Sequence, residues 1–164
     1  MYQDSGLDVF ISASLKYPEL SAVRYEADQE RLIFEAALQG EVSLEKQAEF
    51  EQQVVAAVKL FHSIKGTEPR WISLEYRHYA PGLILLRYHR DSYSVSEEET
   101  ELFIELLADA FQDQIYRDST NMEIEESVKR KVKRNLIQKI SREDAETNRF
   151  LSYREGGRVL VFNK

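Results

Sequence analysis

The sequence predicts an α+β fold. An N-terminal helix leads into two β-β-α units, whose strands form a four-stranded, largely antiparallel sheet with helices on one face. A C-terminal helix and β-hairpin follow. Three observations carry this reading. Trp71 to Asp91 (WISLEYRHYAPGLILLRYHRD) is two β-rich runs joined at Pro81-Gly82. Two stretches flanking it repeat apolar residues every three or four positions, as amphipathic helices do. The strand-strand-helix pattern also occurs twice: a shift of 51 lays Val23 on Leu74, Tyr25 on Tyr76 and Leu32 on Leu83, and a shift of 50 lays Phe61 on Phe111.

In chain order, residues 5–18 form a short helix with Leu7, Phe10, Ile11 and Leu15 on one side, ended by Pro18. Strand-like runs follow at 22–28 and 31–39, with a turn near Gln29-Glu30. Val23, Tyr25, Leu32, Phe34, Ala36 and Leu38 face one way there, and Arg24, Glu26, Asp28, Glu35 and Gln39 the other. Ser43 opens a helix to Ile64 with Phe50, Val54, Ala57, Val58, Phe61 and Ile64 inward, and Gly66 closes it. After the central hairpin, Ser96 to Glu99 is a capping box. The helix it opens runs to Tyr116 with Phe103, Ile104, Leu107, Phe111 and Ile115 inward. This α-β-β-α-β-β-α order resembles that of the small acidic chaperone-like domains of secretion systems, and no function is carried over from it.

Counting outward from a turn at Ala80-Pro81 puts Ile72, Leu74, Tyr76 and His78 on one face with Leu83, Leu85, Arg87 and His89, a core face. The other face carries Trp71, Ser73, Glu75, Arg77 and Tyr79 with Ile84, Leu86, Tyr88 and Arg90. A bulge shifts such a register by one residue.

Residues 119–164 read as an appendage to a 1–118 domain. Thr120 to Glu123 caps a helix to Ile140, with Ile124, Val128, Val132, Leu136 and Ile140 apolar. The final FLSYREGGRVLVFNK is a hairpin turning at Gly156-Gly157, with Glu155 opposite Arg158. A lone two-stranded hairpin, apolar on both faces, is marginal in water. It therefore docks on its own sheet, a twin subunit or a partner.

The net charge of −7 conceals a split. Residues 1–127 hold 11 basic and 25 acidic residues (−14), and residues 128–164 hold 11 and 4 (+7). There is no cysteine, which excludes disulfides and thiolate metal sites. The N-terminus lacks the basic start and apolar core of a signal peptide, and no apolar run approaches the roughly 20 residues that span a bilayer. The expectation is a cytoplasmic protein with no membrane contact.

Chemistry is sparse. His78 and His89 lie six residues apart along the ladder, roughly 20 Å, too far to share an ion. His62 lies at the edge of a helix stripe, and all three read as ordinary half-buried histidines. No Gly-x-Ser-x-Gly elbow, phosphate loop or dinucleotide fingerprint is present. No catalytic, cofactor or metal residue is nominated. Lys129, Arg130, Lys131, Lys133 and Arg134 form a basic run suited to phosphates. Acids before bases along a helix is also what its macrodipole favours.

The leading reading is a non-enzymatic protein-interaction module (adaptor, chaperone-like or regulatory), self-associating as a homodimer. Its docking face for tail or partner is Trp71, Tyr79, Ile84, Leu86 and Tyr88. The alternative is a nucleic-acid-binding protein whose basic C-terminal helix is the contact arm.

Overall fold

The computed structural model describes residues 5–117, 149–155 and 158–163. Among the described residues, three helices, α1 (Ser5–Lys16), α2 (Leu44–Lys65) and α3 (Glu97–Phe111), accompany six strands. These are β1 (Ala22–Glu26), β2 (Arg31–Gln39), β3 (Ile72–Ala80), β4 (Leu83–Asp91), β5 (Arg149–Glu155) and β6 (Arg158–Asn163). They make one antiparallel sheet in the order β3-β4-β2-β1-β5-β6. The sheet is therefore six-stranded rather than four-stranded, because the C-terminal hairpin joins the edge of β1. Tyr25 there lies opposite Phe150 and Ala22 opposite Tyr153. Arg154 reinforces the join, donating from Nη2 to the Leu15 carbonyl at 2.7 Å.

Local signals explain the helix ends. Ser43 accepts from the Lys46 amide at 3.1 Å, and Gly66 takes φ 73° at the other end of α2. Ser96 accepts from the Glu99 amide at 3.1 Å, starting α3. That helix stops at Phe111, short of the expected Tyr116. A 3-10 turn at Gln112–Gln114 drops the chain into the sheet plane, where Ile115 bridges to Leu38.

The core lies between the helices and one sheet face. Val23, Tyr25, Leu32, Phe34, Ala36 and Leu38 are buried there, as their alternation requires. Aromatic rings link the layers. Tyr88 stacks on Phe103 at 4.2 Å, Phe50 meets Phe111 edge-on at 5.0 Å, and Phe150 packs against Phe10 and Tyr25.

The β3–β4 register differs from the simple count. His78 pairs with Ile84 and Ala80 with Leu83, so Tyr79 is an extra residue in β3. The turn is Pro81-Gly82 with Gly82 at φ 75°, the residue pair of a type II turn. Such a turn mismatches the strand twist, and a bulge increases local twist. Ile72, Leu74, Tyr76 and His78 consequently share their face with Ile84, Leu86, Tyr88 and Arg90. Leu83, Leu85, Arg87 and His89 face the opposite side and are only partly buried. Ile64 also departs from expectation. It follows His62, which points inward, by two residues or about 200° of helix, and is 77% exposed.

Candidate functional site

Arg90 shares its face of β4 with Ile84, Leu86 and Tyr88, the face that β2 continues with Leu38, Ala36, Phe34 and Leu32 toward the core, and its side chain is wholly buried. A guanidinium cannot lose its water without replacement partners. Three elements supply them. Glu99, in the first turn of α3, takes Arg90 Nε at 2.8 Å on Oε2 and Nη2 at 2.7 Å on Oε1. Nη1 donates to the Trp71 carbonyl at 3.0 Å and to the Asp91 carboxylate. Ser94 Oγ accepts from Nη2 at 3.0 Å.

His62, in the last turn of α2, completes the cluster. Its Nε2 donates to Glu99 Oε1 at 2.6 Å, and its Nδ1 lies 2.7 Å from Thr67 Oγ1. The Tyr88 hydroxyl donates to Glu99 Oε2 at 2.9 Å. Asp91 works beside it, accepting from the Arg70 amide at 3.1 Å and the Ser94 amide at 2.9 Å. One cluster thus ties α2, the start of β3, the end of β4 and α3.

The titration shifts follow from these contacts. Burial acts against the Arg90 charge, but hydrogen bonds and charge from Glu99 outweigh it and hold the guanidinium above its ordinary value. Burial, with the Glu99 charge, pushes the Tyr88 phenol well up. Burial also opposes ionisation of Asp91, and Ser94 hydrogen bonds with the Arg90 charge overcome it, leaving that carboxyl below its usual range.

A His–Glu pair is acid–base chemistry in principle. Here Arg90, Glu99, His62 and Asp91 are at most 2% exposed, and their polar atoms engage one another. An open groove of about 340 Å³ lies elsewhere, at the hairpin tip, lined by Gly40, Glu41, His78, Tyr79, Pro81 and Ile84 among others. It shares no residue with the cluster. The cluster's geometry suits a clamp between elements, out of reach of a substrate.

The expected docking residues do not form one face. Ile84, Leu86 and Tyr88 are buried beneath the helices, opposite the core residues Leu38, Ala36 and Phe34 of β2. Tyr79 is the bulge residue and 73% exposed. Trp71 is half-buried at the mouth of the cluster, with the Arg31 guanidinium 5.1 Å from its ring centre. The basic run Lys129, Arg130, Lys131, Lys133 and Arg134 lies outside the described residues.

The histidines differ from one another. His62 is buried and paired, His78 is exposed at the groove, and His89 is half-buried 3.3 Å from Glu75. Burial holds the His89 imidazole below its ordinary value despite Glu75. Among the described residues, no three His, Asp or Glu side chains gather in metal-binding geometry.

Sequence reasoning missed the cluster, although its spacing was on view. Glu99, Phe103, Leu107 and Phe111 recur every four residues, and so do Val54, Val58 and His62. Each series puts a polar residue on an apolar stripe, the mark of a buried group needing a partner. Comparison with known proteins brings no match: no family model, no curated protein and no solved structure is similar to this chain.

Proposed function

We propose that the chain is a non-enzymatic protein-interaction module, adaptor-like, chaperone-like or regulatory in class, that associates with a second copy of itself. The observation that carries this reading is the surface placement of large apolar side chains on regular elements. Leu60 is 63% and Ile64 77% exposed on the outer side of α2, continuing a row from Ala56, and Phe162 is 44% exposed on β6. Apolar groups held on rigid elements rather than loops suit a preformed contact surface. The buried ionisable groups support the same reading, because their hydrogen-bonding capacity is used within the fold. Location in the cytoplasm belongs to this proposal. Among the described residues, no helix is long and apolar enough to cross a membrane.

Light scattering on the purified chain tests it. The expected result is twice the chain mass of 19.2 kDa at neutral pH and moderate salt. A monomer at every concentration counts against self-association.

The second reading, nucleic-acid binding through residues 129–134, draws on the basic run alone. It predicts binding that weakens steeply as salt rises and disappears when those charges are neutralised. Against it stand the acidic helices, with Glu45, Glu49 and Glu51 on α2 and Glu97, Glu98, Glu101, Glu105 and Asp109 on α3.

A further inference from the structure

Strand β6 ends the sheet, and no described strand lies beyond it. Its backbone polarity is fixed by its neighbours. The Arg154 amide donates to the Ser21 carbonyl, so the even residues of β5 bond toward β1 and the odd ones toward β6. Leu151, Tyr153 and Glu155 pair with Phe162, Leu160 and Arg158. The amides and carbonyls of Val159, Val161 and Asn163 therefore point out from the sheet.

The two edges of the sheet are built differently. Natural edge strands are blunted by charges, bulges or proline. β3 carries Glu75 and Arg77, which pair with each other, and the Tyr79 bulge. β6 carries its one charge at its first residue, Arg158, and then offers Val159, Leu160, Val161 and Phe162 in succession without a bulge.

We propose that β6 is the self-association surface, pairing antiparallel with β6 of a second copy about a two-fold axis through Val161. This rests on the self-association reading above and names its surface and register. The partner is argued from self-complementarity. In antiparallel pairs, directly opposed residues share a face, so a two-fold perpendicular to the sheet joins β6 to itself only where paired numbers sum to an even value. With Val161 on the axis, the outward groups of Val159, Val161 and Asn163 all find partners. Leu160 lies opposite Phe162 on the face away from the helices, and covers a ring that is exposed in the single chain and stacked on Tyr153. Arg158, the one charged residue of β6, lies outside the paired run Val159–Asn163. The result is a continuous sheet of two six-stranded halves with the described helices α1, α2 and α3 of both copies on one side.

The chain has no cysteine, so a single introduced thiol is unique. In Val161→Cys, the two copies place their Cα atoms about 5.5 Å apart across a hydrogen-bonded pair, within disulfide reach. Mild oxidation is expected to give a covalent dimer. In Val159→Cys, the equivalent residues are four positions apart along the ladder, roughly 13 Å, and no such product is expected.

Val159→Pro removes an outward amide that β5 does not use. It is expected to give a folded monomer whose unfolding midpoint, unlike that of the dimeric wild type, does not depend on protein concentration. Absence of the Val161→Cys dimer, cross-linking of Val159→Cys instead, or a Val159→Pro protein that stays dimeric overturns the proposal. If the wild-type chain still has twice its mass, self-association stands and only its surface is wrong. A wild-type monomer, whether β6 is open or covered by other residues of its own chain, overturns both.

Discussion

Arg90 and Glu99 face each other through two hydrogen bonds, Nε to Oε2 at 2.8 Å and Nη2 to Oε1 at 2.7 Å, with both side chains fully buried. This fork joins the end of β4 to the first turn of α3. Both charges have left water, so each depends on the other. Glu99→Leu is expected to destabilise the fold by about 3–5 kcal/mol, since it leaves the buried guanidinium with Asp91 as its remaining carboxylate partner. Arg90→Met, which takes the guanidinium from both Glu99 and Asp91, is expected to be destabilising too, and the double variant Arg90→Met/Glu99→Leu to cost less than the sum of the two singles. Urea unfolding of the two singles and the double forms the cycle, and simple additivity would contradict the coupling.

Phe150 is the anchor of the C-terminal hairpin, buried against Phe10 and Tyr25. Phe150→Ala is expected to cost about 3–5 kcal/mol. Truncation after Arg117 removes β5 and β6 altogether and opens the edge of β1, so the shortened chain is expected to aggregate. Solubility and thermal unfolding check both. A truncated protein as soluble and stable as the full chain would show that the hairpin's docking contributes nothing.

Titration gives opposite slopes at the two ends of the pH scale. Asp91 is below its usual range in the fold, so in falling pH the unfolded chain takes up that proton first. Its contribution is complete above the ordinary carboxylate value and is lost as pH falls through the folded one. Tyr17 is pushed up to about 12 by burial and by Glu101, Glu97, Glu19 and Glu105. Its contribution is complete below about 10, where an unfolded tyrosine ionises, and is lost as pH rises toward 12. Thermal midpoints across pH are expected to fall at both ends. Asp91→Asn should flatten the acid slope, and Tyr17→Phe the alkaline one.

Gly66 and Gly82 hold φ 73° and 75°, and an added Cβ at either would meet nothing within 4 Å. The cost of alanine there is conformational alone, about 1–2 kcal/mol each. Ser43→Ala and Ser96→Ala each lose a cap worth about 1 kcal/mol. Chemical denaturation of the four single variants measures these terms, and a neutral Gly82→Ala would contradict the turn geometry.

The sequence disclosed the parts of this fold that depend on local chemistry. Ser43, Gly66 and Ser96 mark real helix ends, and the alternation from Val23 to Leu38 marks a real core face. The hairpin pairing of Glu155 with Arg158 was also legible. What escaped depends on distant partners. Whether Tyr79 is paired or bulged is decided by matching twist against a Pro-Gly turn, and that one residue decides that Ile72, Leu74 and Tyr76, rather than Ser73, Glu75 and Arg77, share the face of Arg90. Glu99 read as half of a capping box, and its carboxylate instead serves Arg90, His62 and Tyr88. The docking face dissolved because β4 pairs with β2, a distant strand, and Ile84, Leu86 and Tyr88 thereby continue the core face of Leu38, Ala36 and Phe34.

Sedimentation velocity, with and without a labelled nucleic acid at low salt, tests the central claim most directly. The account predicts a species of twice the 19.2 kDa chain mass that leaves the nucleic acid sedimenting alone. A monomer that carries the nucleic acid with it at low salt and releases it at high salt would contradict the account.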